Sequence, residues 1–370
     1  MKHLLAALLL SVSLIGCSDD SSSDKKFAGD IAAGKTLADK ECKGCHGLDG
    51  KGVAPGIPHL AEQRGRYLIA SLNEYRDRVR MHAALRAVAA NMSEADTRNV
   101  AAYYASLPPI AAEKMAVFSP YDNGKAVAQA CTRCHGEDGN SKIAGTPSLA
   151  GQQPHYFVVA MQEYLYGIRE TSPMHALLRG LSKLDMESVA LYFASQQPAE
   201  RSASPLGDAA AGEPRTAVCG GCHGSHGVST DAATPSVAGQ DPRYLVNATK
   251  AYRTTRKHEG MRRSIAALSD KDIENITAFY TIQKSKPAES GQTLVKELTE
   301  KCNRCHSGGQ DNPALAIPLI NGQDKDYLTM ALRAYRDDKR GNLLMHKMSL
   351  PYGDSIIESL AVYYASQPAR

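Results

Sequence analysis

The chain has almost no spare cysteine, little net charge and no long apolar run beyond its amino terminus, and each shortage excludes something. Nine cysteines occur in 370 residues. Eight fall in one recurring motif and only Cys17 lies outside it, so no cysteines are left for a disulfide framework. Net charge is +4, from 43 basic and 39 acidic residues, which leaves no electrostatic footprint for nucleic acid. The apolar stretch 4–15 is too short to span a bilayer. With Lys2 as its basic flank it reads as an export signal, residues 1–16.

What is present in abundance is one pentapeptide, written four times: Cys42-Lys-Gly-Cys45-His46, Cys131-Thr-Arg-Cys134-His135, Cys219-Gly-Gly-Cys222-His223 and Cys302-Asn-Arg-Cys305-His306. Cys-x-x-Cys-His is the attachment sequence for c-type haem. Two thiols add to the haem vinyl groups, and the adjacent histidine binds iron from the proximal side. A zinc half-site, a redox dithiol or a disulfide would explain the cysteines, but not a histidine after every second one. Four covalent haems c are expected. The motifs start 89, 88 and 83 residues apart, so each unit is small, and a buried haem would enlarge its thin core.

The units share more than the motif. A glycine in a short helical stretch precedes it (Gly34, Gly124, Gly212, Gly291), and a loop ending Pro-x-aliphatic-x-x-Gln follows it. The prolines are Pro58, Pro147, Pro235 and Pro318, and their glutamines Gln63, Gln152, Gln240 and Gln323. A carbonyl there is placed to accept the second N–H of the proximal imidazole. Tyr67, Tyr156, Tyr244 and Tyr327 then start helices. Closing helices are announced by Ser-x-x-Asp at Ser93, Ser182 and Ser269, a capping signature, and by the Pro351–Asp354 segment in the fourth unit. Late aromatic pairs such as Tyr103-Tyr104 are expected to pack on the opening helix. The expected domains are 28–108, 119–198, 206–284 and 289–370, joined by linkers rich in proline, alanine and serine.

Cys131-Thr-Arg-Cys-His-Gly-Glu-Asp-Gly with Thr146-Pro-Ser-Leu-Ala-Gly-Gln152, Leu181-Ser182 and Leu191-Tyr-Phe-Ala194 resembles class I cytochromes c of the cytochrome c4 type. The resemblance covers nearly the whole mature chain. It implies an all-α fold of four tandem domains arranged as two c4-like pairs, in series along the chain. It also implies His/Met iron ligation, with the methionine in the loop before the closing helix. Eight residues before the capping position stand Met174, Met261 and Met345, with Met348 a nearby rival for the last. In the first unit that position is Leu85. Met81 is expected to serve instead, after a one-turn rewinding, because His82 follows it as His175 follows Met174; His82, Met92 or an open site are the alternatives. Met161 and Met330 are expected in the core. His59, His155, His226 and His258 are expected at the surface or near haem propionates.

The sequence Leu14-Ile-Gly-Cys17 resembles a lipobox, which implies a lipidated Cys17 and a polar tether over 17–27. An ordinary signal peptide containing a cysteine is the alternative. Ser18 favours the outer membrane, with the periplasmic side expected and the cell surface possible. The function expected is a membrane-anchored, four-haem electron carrier, not an enzyme. Its partners would be a donor such as a quinol-oxidising complex and an acceptor such as a terminal oxidase or reductase. The alternative is a haem enzyme or small-ligand sensor with an open sixth position in the first unit, although no acid–base set is visible near Cys42–His46.

Overall fold

The computed structural model describes residues 29–112, 114–116, 118–169, 172–288, 294–307 and 316–369. The export signal, Cys17, the tether and Gly291 lie outside them. The described residues contain helices, connecting loops and one isolated β-bridge, and no named strand. In the first repeat, α1 (Ile31–Glu41) leads into the motif helix α2 (Lys43–His46), then α3 (Gly65–Arg76), α4 (Ala83–Ala90) and α5 (Glu94–Ala105). The second repeats this as α6 (Pro120–Ala128), α7 (Thr132–His135), α8 (Pro154–Leu165), α9 (Ser172–Leu178) and α10 (Lys183–Ala194). The third has α11 (Ala209–Gly212), α12 (Ala217–His223), α13 (Pro242–Lys250), α14 (Glu259–Ile265) and α15 (Asp270–Thr281). The fourth has α16 (Leu294–His306), α17 (Lys325–Arg336), α18 (Leu343–Ser349) and α19 (Asp354–Ser366).

Local signals act where the sequence puts them. Ser93, Ser182 and Ser269 cap α5, α10 and α15 with complete capping boxes. Tyr67, Tyr156, Tyr244 and Tyr327 each stand third in their helix rather than first. The opening helix crosses the closing helix at its glycine: Gly34 faces the Asn99 carbonyl and Tyr103, and Gly124 faces the Ser188 carbonyl and Tyr192. A methyl group would collide with main chain there, so only glycine lets the helices approach. Gly212 meets the Asn275 carbonyl rather than an aromatic. Around these crossings sit small cores, such as Tyr67, Leu68, Met92, Val100 and Tyr104 in the first repeat.

The repeats form two pairs, as the resemblance implies, but the pairs are nested and not in series. Gln63 donates to the Leu319 carbonyl (2.9 Å) and accepts from the Leu319 amide (2.8 Å). Gln323 returns the same two bonds to His59 (2.9 and 2.6 Å). Gln152 does this with Ser236 (3.0 and 2.8 Å), and Gln240 with Ser148 (2.8 and 2.7 Å). Repeat 1 therefore faces repeat 4, and repeat 2 faces repeat 3.

The reason lies in one further contact per pair. Asp324 accepts the Gly56 amide (2.8 Å), and Asp241 accepts the Gly145 amide (2.9 Å). Both glycines have φ of +84°, a conformation L side chains rarely adopt. Repeats 1 and 2 supply the glycine and follow their glutamine with Arg64 or Gln153; repeats 3 and 4 supply the aspartate after theirs. A pairing of repeat 1 with repeat 2 would put two glycine loops together with no carboxylate. Each pair takes one partner of each kind. The two pairs join through repeats 2 and 4, where Leu191 of α10 enters the core of Leu328, Ile356 and Leu360, and Lys183 bridges to Asp354 (3.1 Å).

Candidate haem sites and the buried interfaces

Each motif is built alike. Its first cysteine is half-buried and its second is exposed, in all four repeats, and none forms a disulfide. Burial pushes the Cys42 thiol up to about 11 and raises Cys131, Cys219 and Cys302 as well. The histidines His46, His135, His223 and His306 face back toward the proline of the following loop. Nδ1–H donates to the carbonyl of Pro58 (3.0 Å), Pro147 (2.8 Å), Pro235 (2.8 Å) and Pro318 (2.9 Å) respectively. A carbonyl can only accept, so the proton is on Nδ1, and Nε2 keeps a lone pair for a metal. Burial also lowers all four imidazoles below the usual histidine range, which keeps them neutral. Fixing the tautomer through the ring's other nitrogen is how proteins orient metal-binding histidines. In the first repeat, Tyr103 and Tyr104 hold the loop beyond the motif through the carbonyls of Leu48 (2.7 Å) and Gly47 (3.1 Å).

Met174, Met261 and Met345 are all half-buried and occupy one position, the third residue of a short helix. The amide at that position is capped from three residues earlier in repeats 3 and 4, by His258 Nδ1 (3.2 Å) and Asn342 Oδ1 (3.0 Å). In repeat 1, His82 Nδ1 caps the amide of Leu85 in the same way (3.2 Å). The rewinding expected around Met81 is therefore absent. Met81 precedes the cap and is 76% exposed. His175 and His346 point away from their methionines to the carbonyls of Tyr164 (3.1 Å) and Tyr335 (2.8 Å), whereas His82 is a helix cap. Met92 and Met161 are core, while Met330 is 53% exposed, against the expectation of burial, with its methyl end near Gly56 of the paired repeat.

Sequence reasoning missed an arginine five residues before each distal position: Arg80, Arg169, Arg256 and Arg340. Each guanidinium lies 4.6–5.9 Å from two tyrosine ring centres of its own repeat. At the interface of repeats 1 and 4, Arg340 also donates to Tyr67 of the partner repeat (3.1 Å), and Tyr67 and Tyr327 hydroxyls stand 3.5 Å apart. Burial pushes the Tyr67 phenol up, but Arg340 and Arg80 outweigh it and bring it to about 8. Beside the tyrosines of each interface stand two arginines and one glutamate, Glu74 with Arg80 or Glu163 with Arg169, in addition to the aspartate that takes the glycine amide. A buried Arg340 Nε that meets no acceptor among the described residues fits an anionic group such as a haem propionate. A signal existed: an arginine at constant distance in four repeats.

The chain is similar to known proteins. The cytochrome c family pattern matches residues 31–108. Cytochrome c4 of Pseudomonas aeruginosa is 32% identical over 209 residues, covering 52% of this chain and 98% of that protein. Cytochrome c4 of Azotobacter vinelandii is 34% identical over 188 residues, covering 44% and 90%. A thiosulfate dehydrogenase electron acceptor of Stutzerimonas stutzeri is 28% identical over 209 residues, covering 52% and 95%. With its attachment motif, its tautomer-locked histidine and relatives matched over almost their full length, the chain belongs to the cytochrome c4 family of class I c-type cytochromes.

Proposed function

We propose that this protein is a tetrahaem electron carrier working outside the cytoplasm, held to a membrane by a lipid on Cys17. The haems would be attached through Cys42/Cys45, Cys131/Cys134, Cys219/Cys222 and Cys302/Cys305. His46, His135, His223 and His306 would bind iron on one side, with Met174, Met261 and Met345 opposite in repeats 2 to 4. When bound, haem supplies reversible one-electron ferric/ferrous exchange. The chain supplies orientation through the proline carbonyls and positive charge for the propionates through the buried arginines. The observation that carries the reading is the histidine-to-proline-carbonyl bond, present at all four motifs at 2.8–3.0 Å.

The nested pairs give the relay two close partnerships, 1 with 4 and 2 with 3, bridged by α10 and α19. Donor and acceptor are redox proteins. The thiosulfate dehydrogenase electron acceptor among the relatives adds a sulfur-compound dehydrogenase to quinol-oxidising complexes as a candidate donor. No helix among the described residues is long and apolar enough to cross a membrane. Intact-mass measurement and haem quantification of the purified full-length protein test the reading. Four thioether-linked haems per chain and reversible reduction support it; fewer than four sink it. Retention of a Cys17→Ala variant in the membrane fraction would remove the lipid anchor from the proposal.

A further inference from the structure

The first repeat departs from the other three at a single place with a chemical consequence. From the stacked arginine to the distal position is five residues in every repeat, and from there to the cap of the closing helix eight. Both counts give Met174, Met261 and Met345, and both give Leu85 in repeat 1. The backbone agrees, since Leu85, Met261 and Met345 are each third in their helix under an equivalent cap. Leu85 is half-buried, as the methionines are. A leucine offers no lone pair to iron.

Among the described residues, none of Met81, His82 and Met92 substitutes for it. Met81 is pinned outward between two fixed residues: Arg80 bridges to Arg340, donates to Ser71 (2.9 Å) and pairs with Glu74, and His82 caps α4. Met92 is 8% exposed and packed among core side chains of its repeat. His82 accepts a backbone N–H at Nδ1, so as a neutral ring it carries its proton on Nε2 and has no lone pair there to offer. His258 makes the same cap in repeat 3, beside a methionine. The cap is thus a structural post that both repeats use.

Resting on the tetrahaem reading, we infer that the haem of repeat 1 is five-coordinate and binds small neutral diatomic ligands on the face lined by Leu85. The class follows from the lining. An apolar side chain stabilises no anion, whereas carbon monoxide or nitric oxide needs only an electron-rich ferrous iron. Binding forms one iron–ligand bond, breaks none and transfers no electron between molecules.

The test uses reduced full-length holoprotein, with haem count and carbon monoxide difference spectrum from one sample. The expected result is four haems, one carbon monoxide bound per chain, and a high-spin ferric signal equal to one haem in the oxidised protein. Leu85→Met should abolish the carbon monoxide response and add a thioether–iron charge-transfer band, while Met81→Leu should leave the response unchanged. Four haems with no carbon monoxide bound, or no high-spin signal in the native protein, overturns the inference alone. So does a response that survives Leu85→Met. Three haems with no response overturns the tetrahaem reading as well.

Discussion

Glu187, in the second repeat, accepts the backbone N–H of Ser355 at 2.7 Å, at the first turn of α19 in the fourth. Three closing helices carry their own serine cap; α19 starts at Gly353 with no side chain to cap it. The missing cap comes from another repeat, and Glu187 is buried in providing it. A carboxylate at a helix start also meets the positive end of the helix dipole. Gly353 lies against that carboxylate, so a side chain there would have to push Glu187 aside.

Glu187→Ala should therefore lower stability by about 1–2 kcal/mol, the usual scale of a lost cap. Gly353→Ser should destabilise the native protein by crowding Glu187, yet partly rescue Glu187→Ala by restoring a local cap. Denaturant midpoints of the two single variants and the double variant give the cycle. Simple additivity to within about 0.5 kcal/mol would mean the two residues do not meet.

Gln63→Ala removes two hydrogen bonds to Leu319 and leaves two half-buried main-chain groups without that partner. A loss of about 2–4 kcal/mol is expected, from about 1–3 per orphaned group with partial relaxation. Cross-linking with mass spectrometry should show fewer links between repeats 1 and 4, and unchanged links between 2 and 3. Loss of links between repeats 1 and 2 instead would contradict the nested arrangement.

Gly34→Ala places a methyl against the Asn99 carbonyl and Tyr103 at the crossing of α1 and α5. Overpacking of this kind costs about 1–3 kcal/mol. Calorimetry of the holoprotein should show the shift, while Gly44→Ala, where the added methyl meets open space, should change little.

Acid should act on the junction of the two pairs. Burial raises the Asp354 carboxyl, but Arg336, Lys183 and Arg333 outweigh it and bring it down to about 2; Glu187 is the acidic group at the same helix start. A carboxyl depressed in the folded state stabilises above its unfolded value of about 3.9, and that contribution is lost as pH falls through about 2. The stability gap between native protein and Asp354→Asn should hold from pH 6 to about 4 and close toward pH 2. A gap that ignores pH across this range would refute the assignment.

Much of this was legible because it is local. Capping serines, the proline carbonyl beneath each histidine and the glycine crossings depend on a few adjacent residues. The partner of each repeat was not legible from the shared glutamine, which is identical in all four. It lay in the residue after the glutamine, aspartate in two repeats and not in the others, and its meaning appears only when Asp324 meets Gly56. Leu85 was legible by counting. Sequence does not reveal that His82 faces an amide while His175 and His346 face carbonyls.

Nesting also sets an order of events. A chain emerging from its amino terminus completes repeats 2 and 3 while repeat 4 is still missing, so the inner pair can close first. Repeat 1, made earliest, must wait longest, with its Gln63 and Gly56 surfaces exposed until Leu319 and Asp324 arrive. The same holds for α19, whose cap on α10 stands ready before the helix exists. A chain cut between repeats 2 and 3 would yield two pieces, each made of two domains separated from their true partners.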